Sequence, residues 1–141
     1  MKKQKICKSV IGFVLTMICI VIVLTTSAFA GTSKSNFNVD VPKLGRSTFS
    51  NTQQTKTYTN RSGEIEFELV GGGYKIDCRL NDKNNGDEGA WITDCKSGTC
   101  KSLPSRASHK SGDTMRVRFD NKLTTYVDVN AYGKWRSDIT G

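Results

Sequence analysis

Two-residue alternation of apolar and polar side chains recurs along this chain and restricts it to β structure. The alternation is clearest in residues 64–70, where Ile65, Phe67 and Leu69 are separated by glutamates. Successive side chains of a strand point to opposite faces, so this pattern predicts strands with one buried and one solvated face. Beyond the N-terminal segment, no stretch shows the 3.6-residue period of an amphipathic helix.

Further alternating or short apolar segments follow at hairpin spacing. They comprise residues 36–41, 74–80, 90–92, 114–119 and 123–132. Short strands separated by loops rich in Gly, Asn and Asp are typical of sandwiches and barrels. The sequence therefore predicts an all-β fold, a small antiparallel β-sandwich of about six to eight short strands.

Turn residues predict two β-hairpins. Two of the three glycines at 71–73 suit a two-residue primed turn, because both central residues of such a turn need positive φ. This register pairs Phe67 with Ile76. A three-residue loop after Phe119 predicts a second hairpin, which pairs Phe119 with Leu123. Both registers place apolar side chains together on one face.

The first 30 residues have the features of a cleaved export signal. A basic start precedes an apolar run at residues 10–24, and Ala28 and Ala30 form an A-x-A site that predicts cleavage before Gly31. An uncleaved anchor is the alternative, although a run of 15 apolar positions is short for a bilayer. We expect a secreted protein with a flexible N-terminus at residues 31–36 and one domain at residues 37–141.

The size and charge of the mature chain exclude several functional classes. Its 111 residues carry 17 Lys and Arg against 13 Asp and Glu, a net charge of +4. One small domain fits this length, and a catalytic domain of the usual size does not. A charge of +4 is a weak basis for binding nucleic acid. We expect no nucleic-acid partner and no membrane span after signal cleavage.

Three cysteines remain after cleavage, so one intramolecular disulfide is the maximum. Cys95 and Cys100 flank a four-residue loop that contains Gly98, and this spacing predicts a loop bridge with Cys78 as a buried thiol. A bridge from Cys78 to Cys95 or Cys100 is the alternative. A zinc site is not predicted, because three cysteines and one histidine occur here without a C-x-x-C pair.

A polar loop offers the one candidate cation site. Oxygen-bearing side chains occur there at the short spacing that hard cations prefer, and the candidate ligands are Asp82, Asn84, Asp87 and Glu88. The loop lacks the Gly and Glu positions of an EF-hand, so any calcium binding is expected to be weak. The alternative is an ordinary Asn/Asp/Gly-rich hairpin loop. No other cofactor or metal is predicted.

Catalytic constellations are not evident. His109 lies near Ser105 and Asp113 in one loop, whereas triad residues meet through the fold and need a positioned nucleophile. We interpret it as a surface-loop histidine. Three glutamates alternate at positions 64, 66 and 68, and the predicted hairpin pairs two of them with Lys75 and Arg79 on a solvated face. A catalytic acid needs a buried site that raises its pKa, so these glutamates are not predicted to be catalytic. The sequence therefore predicts a protein that is not an enzyme.

Aromatic and cationic residues near the C-terminus form the candidate binding set. Exposed aromatic rings mixed with cations suit sugar rings, anionic wall polymers or lipid headgroups. The candidates are Tyr126, Tyr132, Trp135, Lys134 and Arg136. The alternative is that the aromatic residues complete a second layer of the core.

The Lys-rich signal, the A-F-A-G cleavage site and the segment 131–138 resemble small uncharacterised exported proteins of Gram-positive bacteria. Some proteins of this kind are bacteriocin-like and others are wall-associated. The resemblance implies no functional residue in this chain.

Three functions follow as hypotheses. The leading one is a secreted, non-enzymatic β-domain that binds a cell-wall polymer, a cell surface or an extracellular protein. A bacteriocin-like protein acting on competitor membranes shares the signal and the positive charge, but this chain lacks the amphipathic helix common in such proteins. A small secreted hydrolase, dependent on His109, is the third.

Overall fold

The computed structural model describes residues 30–140. The predicted signal peptide lies outside the described residues except for Ala30. Nine strands and no α-helix occur in residues 30–140. The strands are β1 (Ser35–Val41), β2 (Ser47–Phe49), β3 (Gln54–Thr55), β4 (Gly63–Val70), β5 (Ile76–Asp82), β6 (Ile92–Cys95), β7 (Thr99–Leu103), β8 (Thr114–Asn121) and β9 (Val129–Arg136).

The strands form two antiparallel sheets. Sheet I has the order β1-β9-β4-β7. Sheet II has the order β2-β8-β5-β6, and β3 pairs with β8 on the same edge as β2. The predicted all-β sandwich is confirmed, with one strand more than the upper end of the expected number.

The core lies between the inner faces of the two sheets and follows the alternation of the sequence. Phe37, Phe67 and Phe119 come from β1, β4 and β8, and their ring centroids lie 5.1 to 6.4 Å apart. All three rings are buried. Edge-on and tilted contacts of this kind add to the free energy gained from burying the rings.

The first predicted hairpin is wrong. Strand β4 lies in sheet I between β9 and β7, whereas β5 lies in sheet II between β8 and β6. A 3-10 turn at Gly71–Gly73 carries the chain from one sheet to the other, with positive φ at Gly72 and Gly73. Phe67 therefore pairs with Gly133 and Thr99, not with Ile76.

The second predicted hairpin is also wrong. Strand β8 belongs to sheet II and β9 to sheet I, so the connection at residues 122–128 crosses between sheets. Leu123 lies in this connection and is 78% exposed. Of the described strands, β5 and β6 are the only consecutive pair that hydrogen-bond to each other.

The segment predicted as a flexible N-terminus is held against the domain. Gly31 is buried and accepts a hydrogen bond from the Asp138 N–H at 2.9 Å. Residues 35 and 36 already belong to β1, where Ser35 pairs with Trp135. The reason is that Gly31 and Ser35 are held through their backbone groups by Asp138 and Trp135, and the hydropathy of a segment does not report such contacts.

Candidate functional site

The predicted C-terminal binding set does not form one surface. Side chains of β9 alternate, so Trp135 points inward and is fully buried, and its indole Nε1 donates to the Thr52 hydroxyl at 2.9 Å. Tyr132 points outward on sheet I and is 39% exposed. Tyr126 belongs to the connection between β8 and β9 and is 75% exposed. The alternative proposed for the aromatic residues, a place in the core, holds for Trp135 alone.

The two cations of that set are engaged in ion pairs on the outer face of sheet I. Arg136 Nε donates to Glu64 Oε2 at 2.9 Å, and Lys134 Nζ lies 3.3 Å from Glu68 Oε1. Register explains both pairs, because β9 lies beside β4. The outward position of the glutamates was correctly predicted, but their cationic partners are Arg136 and Lys134 of β9 together with Lys34, and none comes from β5.

A different surface brings aromatic and polar groups together. An open groove of about 650 Å³ lies on sheet II, next to the connection between β8 and β9. Its lining includes Trp91, Leu123, Asp77, Asp120, Asn121 and Lys122. We call this the Trp91 groove.

Trp91 is held in place by arginines of the outer face of sheet II. The guanidinium carbons of Arg79 and Arg118 lie 4.1 and 5.5 Å from the centroid of the Trp91 ring. Both arginines form ion pairs with Glu88, which comes from the loop before Trp91. Cation–π stacking combined with ion pairs fixes the orientation of the ring while 37% of Trp91 remains exposed.

The polar groups of the groove are charge-balanced. Lys122 Nζ donates to Asp77 at 2.8 Å and lies 3.5 Å from Asp94. The hydrogen bond that Lys122 donates to Asp77 raises the pKa of Lys122. Asp120 pairs with Arg118 at 3.0 Å. The groove therefore offers carboxylate groups without a strong net charge, whereas the side-chain amide of Asn121 is buried and hydrogen-bonded within the fold.

An exposed apolar edge borders the Trp91 groove. Leu123, Tyr126 and Val127 are exposed in the connection between β8 and β9. Leu44 is exposed beside them, and its N–H donates to the Thr125 carbonyl at 2.9 Å. Contiguous exposed apolar side chains on a small domain mark interaction surfaces.

The candidate calcium ligands have other roles in the structure. Asp82 is buried and its Oδ1 accepts the Asn84 N–H at 2.8 Å, which is an Asx-turn. Glu88 is paired with two arginines, as described above. Among residues 30–140, no group of three or more His, Cys, Asp or Glu side chains is arranged to hold a metal ion. Internal hydrogen bonds account for the loop conformation.

His109 is buried, so its interpretation as a surface-loop residue is wrong. Its Nδ1 accepts the Arg106 N–H at 3.2 Å and lies 3.2 Å from the Ser105 hydroxyl. Because Nδ1 is an acceptor, the neutral ring carries its proton on Nε2, which faces the Asp87 carbonyl at 3.2 Å. Burial lowers the pKa of His109. The ring joins two loops and is not open to a substrate.

The cysteines do not form the predicted loop bridge. Cys95 is buried, and its Sγ lies 3.9 Å from Cys78 Sγ. Cys100 is exposed and its thiol donates to Glu64 Oε1 at 3.0 Å. One end of the loop therefore points into the core and the other to the outer face of sheet I. The alternative pair, Cys78 with Cys95, is the one that the structure brings together.

Comparison with protein-family models and with curated proteins gave no match. Within the described part of the chain, no helix is long and apolar enough to cross a membrane.

Sequence reasoning missed Trp91 as a site residue and assigned it only to a short apolar strand. The available signal was an isolated tryptophan directly after the polar loop 81–89. Its neighbours in space, Arg79 and Arg118, come from β5 and β8, and their proximity depends on the strand order of sheet II.

Proposed function

We propose that this chain is a secreted, non-enzymatic binding module that holds a cell-wall polysaccharide in the Trp91 groove. The observation that carries the proposal is the fixed, partly exposed Trp91 ring in an open groove with polar walls. Export rests on the signal and cleavage site predicted from residues 1–30.

The chemistry of the groove suits sugar rings. A sugar ring has an apolar face that packs on an aromatic ring and hydroxyl edges that hydrogen-bond to carboxylates and amides. Trp91 provides the first, and the carboxylates of Asp77 and Asp120 provide the second. Because the nearby charges are balanced, we expect stacking and hydrogen bonds to dominate the binding, with a minor electrostatic contribution.

Co-sedimentation with isolated Gram-positive cell walls tests the proposal. Purified residues 31–141 are mixed with walls over a salt series, and the bound fraction is measured. We expect retention that survives moderate salt, and a loss of at least about tenfold in affinity for Trp91→Ala, in line with the loss of one well-packed aromatic anchor. Tyr74→Ala is the matched control, since Tyr74 is similarly exposed but lies outside the groove. Equal loss in both variants, or no loss in Trp91→Ala, contradicts the proposal.

A membrane surface is the second candidate, and the exposed apolar edge favours it. Leu123 and Tyr126 protrude there, and two cationic residues, Lys43 and Arg46, flank the exposed Leu44 in the chain. Apolar and cationic groups together bind anionic lipid surfaces.

Vesicles of anionic phospholipid distinguish the two candidates. Binding that falls steeply with salt and is lost in a Leu123→Ala and Tyr126→Ala double variant supports the membrane, and leakage of vesicle contents supports the antimicrobial function. Binding to walls that this double variant retains supports the polysaccharide. Binding to neither surface contradicts both and leaves an extracellular protein as the partner.

A further inference from the structure

Gly31 occupies a position where no side chain fits. A Cβ atom on Gly31 would lie 2.3 Å from Asp138 Oδ2 and 2.4 Å from Ser137 Oγ. The Gly31 carbonyl also accepts the Asp138 N–H, and Ala30 forms a parallel bridge with Thr55. The first residue of the predicted mature chain is therefore packed directly against a carboxylate.

That carboxylate is the centre of a buried polar cluster. Asp138 Oδ1 accepts from Lys56 Nζ at 2.8 Å, and Oδ2 accepts from the Thr57 N–H at 2.7 Å and the Ser137 hydroxyl at 3.2 Å. The side chains of Asp138 and Lys56 are fully buried. Lys56 Nζ also donates to the carbonyls of Ser137 and Arg61. Carbonyl groups thus share the charge of Lys56, and Oδ2 faces Gly31.

Cleavage before Gly31 changes the chemistry of this contact. Hydrolysis of the Ala30–Gly31 peptide bond by a signal-peptidase-type protease consumes one water. It leaves a carboxylate on Ala30, which departs, and an amino group on Gly31, which takes up a proton. The new ammonium nitrogen is bonded to the Gly31 Cα. The position that a Cβ would take on this same Cα is in contact with Asp138 Oδ2 and Ser137 Oγ. The Thr55 carbonyl lies 2.8 Å from the same position.

We infer that Asp138, Ser137 and the Thr55 carbonyl form a binding site for the α-ammonium of a chain that begins at Gly31. Processing then creates an internal ion pair that fastens the N-terminus to the segment after β9. The inference rests on the proposed export but not on the Trp91 groove, so failure of polysaccharide binding leaves it intact.

The opposing charges around the site decide its strength. Asp138 attracts the ammonium, whereas Lys56 repels it, and the Arg61 guanidinium lies farther out against the Ile139 carbonyl. Moving an ammonium out of water costs hydration free energy. The carboxylate and the two other oxygen acceptors offset this cost only when they are already in position to accept its hydrogen bonds. Here they are positioned by contacts that do not involve the ammonium.

The test compares chains with different N-termini. All nine strands and the core lie within residues 31–140, so a chain that begins at Gly31 keeps the whole domain. Its α-amine is titrated by NMR, and its melting temperature is compared with that of the N-acetylated chain. We expect an amine pKa at least about one unit above the ordinary range of about 7.7–8.0, and a lower melting temperature after acetylation.

Two variants locate the effect. Asp138→Asn is expected to return the amine to its ordinary pKa. Since this change also removes the partner of Lys56 and can prevent folding, the second variant is a chain that begins at Ala30, which displaces the ammonium by about 3.8 Å. That chain is expected to behave like the acetylated one. An ordinary amine pKa in the Gly31 chain, or equal stability of all three chains, overturns the inference.

N-terminal sequencing of the secreted protein tests export separately. A cleavage site other than the bond before Gly31 overturns the processing step.

Discussion

The Sγ atoms of Cys78 and Cys95 lie 3.9 Å apart between neighbouring strands of sheet II, and both thiols are buried. A disulfide needs about 2.0 Å between sulfurs, a distance within reach of small side-chain rotations. Cys100 is exposed on sheet I, so it has no part in this pair.

Thiol labelling separates Cys100 from the buried pair. In the reduced native protein, we expect iodoacetamide to modify Cys100 alone, because burial hides Cys78 and Cys95 and raises the pKa of Cys78. After treatment with oxidised glutathione, Cys78 and Cys95 are expected to resist labelling even when the protein is unfolded without reductant. Peptide mass spectrometry identifies the labelled cysteines in both experiments. A peptide cross-linked through Cys95 and Cys100 would contradict the pairing of Cys78 with Cys95.

Glu64, which accepts a hydrogen bond from Cys100, is expected to make the stability of the domain depend on pH in the acid range. The hydrogen bond from the Cys100 thiol, followed by those from Arg136 and Lys34, lowers the pKa of Glu64 from 4.5 to about 2. A depressed carboxyl pKa contributes stability above pH 4.5, and that contribution is lost as the pH falls towards about 2. We expect Glu64→Gln to flatten the fall in unfolding free energy over this range, measured by urea titration at each pH. Glu68→Gln is the control and is expected to keep the slope; a Glu64→Gln slope equal to the wild-type slope refutes the assignment.

His109 is expected to stabilise the domain and not to act on a substrate. Replacing it with Ala leaves the Arg106 N–H without its acceptor and opens a cavity, so we expect a loss of about 2–4 kcal/mol. Because burial lowers the pKa of His109, its contribution is present above pH 6.5 and is lost as the pH falls below it. Denaturant unfolding of His109→Ala and of the exposed control Lys110→Ala measures both effects. Unchanged stability in His109→Ala argues against the structural role.

The two tryptophans report different surroundings. Trp135 is fully buried and Trp91 is partly exposed. We therefore expect Trp91→Phe to leave a blue-shifted emission that acrylamide quenches weakly. Soluble wall polysaccharide is expected to change the emission of the wild-type protein and not that of Trp91→Phe. A ligand-induced change that survives in Trp91→Phe places the ligand away from the groove.

The alternation of the sequence identified the buried face of the strands but not their neighbours. Phe67 and Phe119 were correctly placed inside, because burial on a strand depends only on the local two-residue period. The pairing of Phe67 with Ile76 was wrong, because the glycines after β4 support a turn between sheets as well as a hairpin. Leu69 was predicted inward but is exposed, since the register shifts between Phe67 and Leu69.

The candidate site was harder to predict for the same reason. Tyr132 and Trp135 are near in sequence, but they point to opposite faces of β9. The residues around Trp91 come from β5, β8 and the loop 81–89, and only the strand order brings them together. A site assembled across strands follows from topology, which a local pattern does not determine.

The position of β9 governs when the domain can assemble. This strand is the last of the nine described strands in chain order, yet it lies between β1 and β4 and pairs Ser35 with Trp135. Until residues 129–136 are present, β1 has no partner in sheet I and β4 has only β7, and pairings between such distant residues form slowly. A nascent chain of this design has no completed sheet I until β9 has been synthesised. We therefore expect it to remain compatible with a translocation channel that accepts only unfolded polypeptide, as the proposed export requires.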